Sequence, residues 1–144
     1  TARLLHQQNK ASLLLKLDIT KAFDSVSWAF LLEVLSHLGF GPRWCGLVSN
    51  LLSTSSTQVL LNGAPGDYIR HRRGLRQGDP LSPMLFIIVM DVLSSLFKHA
   101  EERGLLHDLA IRNVKSSLSI YADDVVLFVK PAVDDLICVK MILD

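Results

Sequence analysis

The sequence predicts an α+β fold, a small antiparallel sheet with helices packed on one face, and three observations predict it. Short runs of β-branched, aromatic and leucine residues are set apart by turn chemistry. Between them lie longer stretches with helix start and stop signals. The elements alternate irregularly, as strand, two helices, hairpin, long helix, hairpin, helix, rather than in a repeated strand–helix rhythm.

The elements follow in chain order. Residues 12–18, "SLLLKLD", read as a buried-type strand by run length, although leucine is not a strong β-former. After the turn "ITKAFDSVSW", Ser25 or Ser27 can cap a helix from about Trp28 to Leu38, closed by Gly39. Asp24 reads as a helix cap as well. A second helix runs from about Pro42 to Leu52, with proline as a favoured first-turn residue. "TQVLLNG" and "DYIRHRR" read as strands joined by "NGAPG", and "RGLRQGDPLSP" as an irregular loop. Ser82 caps and Pro83 starts a long helix to about residue 102, with Met84, Phe86, Ile87 and Met90 as its core side. "LAIRNV" and "LSIYADDVVLFV" are strands, and "VDDLICVKMILD" begins a last helix.

Composition narrows the function classes. A chain of 144 residues is one domain's worth, and 49% hydrophobic with 20% charged residues supplies a core. The net charge of +1 argues for no particular partner, so any nucleic-acid contact must come from local clustering. Arg70, His71, Arg72, Arg73 and Arg76 form such a cluster. It can contact phosphates, or it can be a solvated edge that blocks strand aggregation. Cys45 and Cys138 have no metal-type spacing and read as reduced core residues in a reducing compartment. The first residues are polar, and "MLFIIVM" alone is too short to span a bilayer, so no membrane role is expected. The chain has no starting methionine and stops inside an expected helix, which suggests a fragment.

"YADDVVLF", 121–128, concentrates the chemistry. Asp123 and Asp124 interrupt an apolar run, as a tight hairpin with two carboxylates at its tip. Aspartate suits turns for geometric reasons alone. The sharper reading is a metal, because a divalent cation removes the repulsion between adjacent carboxylates. A third carboxylate is then needed, and Asp18, at the end of the first strand and 105 residues before Asp123 (from 18 to 123), supplies it if the strands pair. Strand-end carboxylates of this kind can bridge two divalent ions about 3.5–4 Å apart, which suits nucleotidyl transfer and nuclease chemistry alike.

Three stretches, "KLDITKAFDSVSW", "RGLRQGDPLSPMLFIIVMDVLS" and "YADDVVLF", resemble in order the palm motifs of reverse transcriptases, closest to the non-LTR, LINE-like enzymes of plant retrotransposons. The resemblance implies a polymerase palm with part of the fingers over residues 1–144, residues 28–73 bordering the fingers, and an RNA-directed DNA polymerase activity using two Mg²⁺ ions, or Mn²⁺ in their place. It implies Asp18, Asp123 and Asp124 as catalytic metal ligands, with the carbonyl of Ile19 assisting. Phe23 matches the aromatic gate against a ribose 2′-hydroxyl, beside its plainer reading as a core ring. Gln77 and Gly78, with Arg76, match the loop bordering the incoming nucleotide and the template. RNA template, DNA primer and deoxynucleoside triphosphates are the implied partners, and the nucleus the implied location. The upstream fingers residues, thumb and endonuclease of such enzymes have no counterpart here, so the isolated piece is expected to extend no primer. Two alternatives stay open. One is a group II intron maturase or other palm polymerase, in which glycine would be expected where Asp79 stands. The other is a decayed, non-catalytic retroelement fragment.

Overall fold

The computed structural model describes residues 11–107, 118–121 and 124–143. They form β1 (Leu13–Asp18), a one-turn helix α1 (Ala22–Ser25), α2 (Trp28–His37), α3 (Pro42–Ser53), four two-residue strands β2 (Ser56–Thr57), β3 (Leu60–Leu61), β4 (Ala64–Pro65) and β5 (Ile69–Arg70), α4 (Ser82–Glu102), β6 (Leu118–Tyr121), β7 (Asp124–Val129) and α5 (Val133–Leu143). The strand expected at "LAIRNV" lies outside the described residues. The chain divides into two compact units, one of residues 1–20 and 90–144, the other of residues 21–89. The second unit is built from connections local in sequence.

The first unit holds an antiparallel sheet in the order β1-β7-β6. Side chains alternate faces along each strand. Leu15 pairs with Leu127, which pairs with Leu118, and these three share the covered face. Phe97 and Ala100 of α4 and Val139 of α5 pack there with Leu106, Leu127 and Val129. Burying each such large apolar side chain contributes roughly 1.5–3 kcal/mol. Cys138, a free thiol, packs on the edge of this cluster. Burial pushes its pKa up, and the nearby Asp135 carboxylate adds to the shift. Cys45 is also a free thiol.

In the second unit α2 and α3 pack on one another, burying Leu31, Leu35, Val48 and Leu52. Of the two candidate caps, Ser27 takes the role, its side chain accepting from the Phe30 amide at 3.4 Å. The expected hairpin is present but nested. β2 pairs with β5 and β3 with β4. Its reversal is the dipeptide Asn62-Gly63 rather than "NGAPG". Both residues take positive φ, 49° and 82°, as a two-residue hairpin turn needs. Ala64 and Pro65 therefore belong to a strand.

Two helix expectations are corrected. Asp24 lies inside α1, whose cap position Lys21 occupies in a left-handed conformation (φ 54°). The first bond of α4 runs from the Leu85 amide to the Leu81 carbonyl, so Leu81 rather than Ser82 holds its cap position. The Asp79 carboxylate secures that end by accepting from the Leu81 amide at 2.8 Å. Along α4, Leu85, Phe86, Met90, Phe97 and Ala100 are buried, whereas Met84 and Ile87 are exposed. The helical period of 3.6 turns these two away from Phe86 and Met90. The short apolar run is also part of a 21-residue helix, long and apolar enough to cross a membrane by length and composition.

Candidate active site

The end of the sheet is acidic. β1 and β7 run antiparallel with Asp18 directly opposite Asp124, and Asp124 directly opposite Tyr121 of β6. Residues paired in this way project from the same face. Asp18, Asp124 and Tyr121 thus form a row across all three strands, on the face opposite the Leu15–Leu127–Leu118 row. Asp18 and Tyr121 are exposed. Asp124 stands in the central strand rather than at the hairpin tip, because the Tyr121–Asp124 pair already belongs to the ladder. Lys16 Nζ approaches Asp124 Oδ1 at 3.0 Å. Ile19, half-buried, follows directly after β1. Asp123 lies outside the described residues, so its expected convergence with Asp18 does too. Among the described residues no group of three or more His, Cys, Asp or Glu side chains could hold a metal.

The other expected site residues belong to the second unit, where two motif segments clasp each other. The Leu75 amide donates to the Phe23 carbonyl at 2.7 Å, and the Gly74 amide to the Val26 carbonyl at 2.8 Å. Trp28 Nε1 donates to the Gly74 carbonyl at 2.7 Å. Gln77 Nε2 reaches Asp24 Oδ1 at 3.5 Å. Gly74 makes this approach feasible. Its φ is +86°, and a Cβ there would lie 2.7 Å from the Asp24 carbonyl oxygen. Leu75 is buried, so the loop is nailed down at its centre while Arg76, Gln77 and Gly78 stay exposed on its far side.

The ring of Phe23 is half-buried and stacks on Phe86 of α4, with centroids 4.5 Å apart and planes 18° from parallel. It is therefore a packed ring with one part open to solvent. Arg76 Nη2 touches Ser55 Oγ at 3.4 Å, and His71 Nε2 meets Thr57 Oγ1 at 2.6 Å. Around them a cleft of about 550 Å³ is lined by Asp24, Thr57, His71 and residues 72–77, including Arg72, Arg73 and Arg76. Three guanidinium groups and a histidine against one carboxylate make it an anion-attracting surface.

Two features were missed in the sequence. Lys16 opens the first motif stretch but was given no role there, and its approach to Asp124 follows only from the pairing of distant strands. The shelf that Phe86 gives Phe23 likewise needs the fold.

A family profile described as "Reverse transcriptase (RNA-dependent DNA polymerase)" matches residues 1–144. The chain is 35% identical over 123 residues to the "Retrovirus-related Pol polyprotein from type-2 retrotransposable element R2DM" of Drosophila melanogaster, which covers 85% of this chain and 11% of that protein. It is 32% identical over 134 residues to the "Transposon TX1 uncharacterized 149 kDa protein" of Xenopus laevis, covering 91% of this chain and 10% of that protein. An "Uncharacterized mitochondrial protein AtMg01250" of Arabidopsis thaliana is 45% identical over 67 residues, 45% of this chain and 55% of that protein. The chain thus spans about a tenth of the two retroelement proteins.

Proposed function

The chain belongs to the reverse transcriptase (RNA-dependent DNA polymerase) family, in its non-LTR retrotransposon branch, and on that premise we propose that its three-stranded sheet is the palm of a polymerase that extends a DNA primer on an RNA template. Residues 28–73 then border the fingers. The observation that carries this reading is the register: Asp18 and Asp124 face each other on adjacent strands, next to Asp123 in sequence.

The donor set fits hard divalent cations, which members of this family generally use. Carboxylates directly across an antiparallel pair repel, and oxygen ligands of this kind suit Mg²⁺. Asp18, Asp123 and Asp124, with the Ile19 carbonyl, would hold two Mg²⁺. Held by those oxygens, divalent ions would supply the Lewis acidity that lowers the pKa of a primer 3′-hydroxyl and the positive charge that offsets a developing phosphorane. Phe23, held flat on Phe86, fills space under the sugar of the incoming deoxynucleotide and excludes a 2′-hydroxyl by volume. Arg76, Gln77 and Gly78 border that nucleotide and the template base. Arg72 and Arg73 contact backbone phosphate, which adds salt-dependent affinity without sequence information.

The test is primer extension by a full-length retrotransposon protein carrying this segment. Asp18→Asn and Asp123→Asn are each expected to lower deoxynucleotide incorporation by about 10³-fold or more, equivalent to roughly 4 kcal/mol of barrier, with the far-ultraviolet spectrum unchanged. Retention of a tenth of the activity in either variant refutes the metal-site assignment.

A further inference from the structure

The acidic end of the sheet carries a cation whose position is as defined as that of the acids. Lys16 precedes Asp18 by two residues on β1, so both side chains leave the same face. Lys16 is opposite Val126 while Asp18 is opposite Asp124. That makes Lys16 the diagonal neighbour of Asp124, within reach of a long side chain. The ammonium closes the distance to 3.0 Å, with the two side chains 62% and 46% exposed.

We propose that Lys16 is a positioning residue of the metal site: its ammonium holds the Asp124 carboxylate over the sheet end in the metal-free protein and yields that oxygen when a divalent cation arrives. This inference rests on the metal-site reading above. The opposed pair Asp18–Asp124, with Asp123 adjacent in sequence, concentrates like charge that destabilises the empty site. Lys16 offsets part of it. A lysine suits the task better than an arginine. It is a compact, strongly hydrated point charge on a flexible stem, whereas a guanidinium would lock the carboxylate through paired bonds. The approach from the diagonal also leaves the direct Asp18–Asp124 pair uninterrupted.

The sign of the effect is diagnostic. A residue that merely buttressed the site would, when removed, weaken metal binding. A resident counter-ion competes with the metal, so its removal tightens binding and destabilises the empty protein. Mn²⁺ is the probe, titrated into the 144-residue chain and followed by the electron paramagnetic resonance of the free ion. Lys16→Met and Lys16→Gln are expected to lower the Mn²⁺ Kd about three- to tenfold at low salt, as the loss of one charge a few ångströms away from a half-exposed site implies, and less at high salt. Lys16→Arg keeps the ion pair and at least the wild-type Kd. In parallel, both neutral variants lose thermal stability without metal and recover it with saturating Mn²⁺. Asp18→Asn serves as the reference. If wild-type chain shows no Mn²⁺ binding that Asp18→Asn removes, the metal-site reading fails and the Lys16 role with it. If Asp18→Asn removes binding but the neutral Lys16 variants bind Mn²⁺ equally or more weakly, the Lys16 role alone is overturned.

Discussion

Gly74→Ala isolates the clasp between the Phe23 segment and the loop bearing Arg76 and Gln77. Two costs arise. Alanine at φ +86° is strained by ~1–2 kcal/mol. Its Cβ would also stand 2.7, 2.9 and 3.0 Å from the carbonyl oxygen, Cα and carbonyl carbon of Asp24, all backbone atoms that cannot rotate away. Relief requires the loop to lift from α1. That stretches the bonds from Gly74 to Val26, Leu75 to Phe23 and Trp28 to Gly74. At ~0.5–1.5 kcal/mol each they add ~1.5–4.5 kcal/mol. The expected loss, strain included, is therefore ~2.5–6.5 kcal/mol. Gly78→Ala is the control, since Gly78 has φ +87° and nothing within 4 Å of its Cβ position, leaving strain alone at ~1–2 kcal/mol. Urea unfolding followed by tryptophan fluorescence gives both values, because Trp28 reports on the clasp directly. Equal losses for the two variants would refute the close approach as the reason for glycine at 74.

In a primer-extending protein containing this segment, Phe23→Ala is expected to shift the ratio of deoxy- to ribonucleotide kcat/KM by ~10²-fold or more toward ribonucleotides, about 2.7 kcal/mol of lost discrimination. An unmoved ratio makes Phe23 a core ring only. In the same protein, neutralising Arg72 and Arg73 together should flatten the log–log salt dependence of nucleic-acid affinity by about 1.4–1.8, and an unchanged slope removes them from phosphate contact. For Cys138, the raised thiol pKa predicts alkylation at pH 8 slower than that of a free model thiol, with a smaller deficit in Asp135→Asn, since the carboxylate is the second cause after burial. A deficit unchanged in that variant excludes the carboxylate's part.

Much of the architecture was legible because the informative signals are local. The run Leu13–Asp18, the proline at the start of α3, and the apolar arms around residues 122–123 announce their elements without reference to the rest of the chain. The failures lie where tertiary context decides. Asn62-Gly63 and Pro65-Gly66 are both turn dipeptides, and only the short β3–β4 ladder selects the first. Asp24 has the composition of a cap, but α1 begins at Ala22 and its carboxylate meets Gln77, 53 residues on, instead. Met84 and Ile87 are as apolar as Phe86, so hydropathy cannot divide them, while the helical phase does. Of the proposed site, Asp18 and Asp124 were named from spacing and motif, and the register sets them opposite each other. Lys16 was not, because a diagonal pair has no meaning until the register is known.

The sheet order has a consequence for how the protein is made. Among the described residues β1 pairs with β7 alone, although more than 100 residues separate them in the chain. Loop closure over such a span is slow relative to local helix and hairpin formation. On the ribosome, Asp18 emerges early and waits, with its leucine-rich strand unpaired, until the segment from Asp124 onward has been synthesised. A frameshift or stop codon anywhere in between leaves the first acid without its opposite number. The acidic row can therefore assemble only on chains whose intervening sequence has been translated through in frame, and an exposed "LLLKL" segment marks the interrupted ones for aggregation or proteolysis.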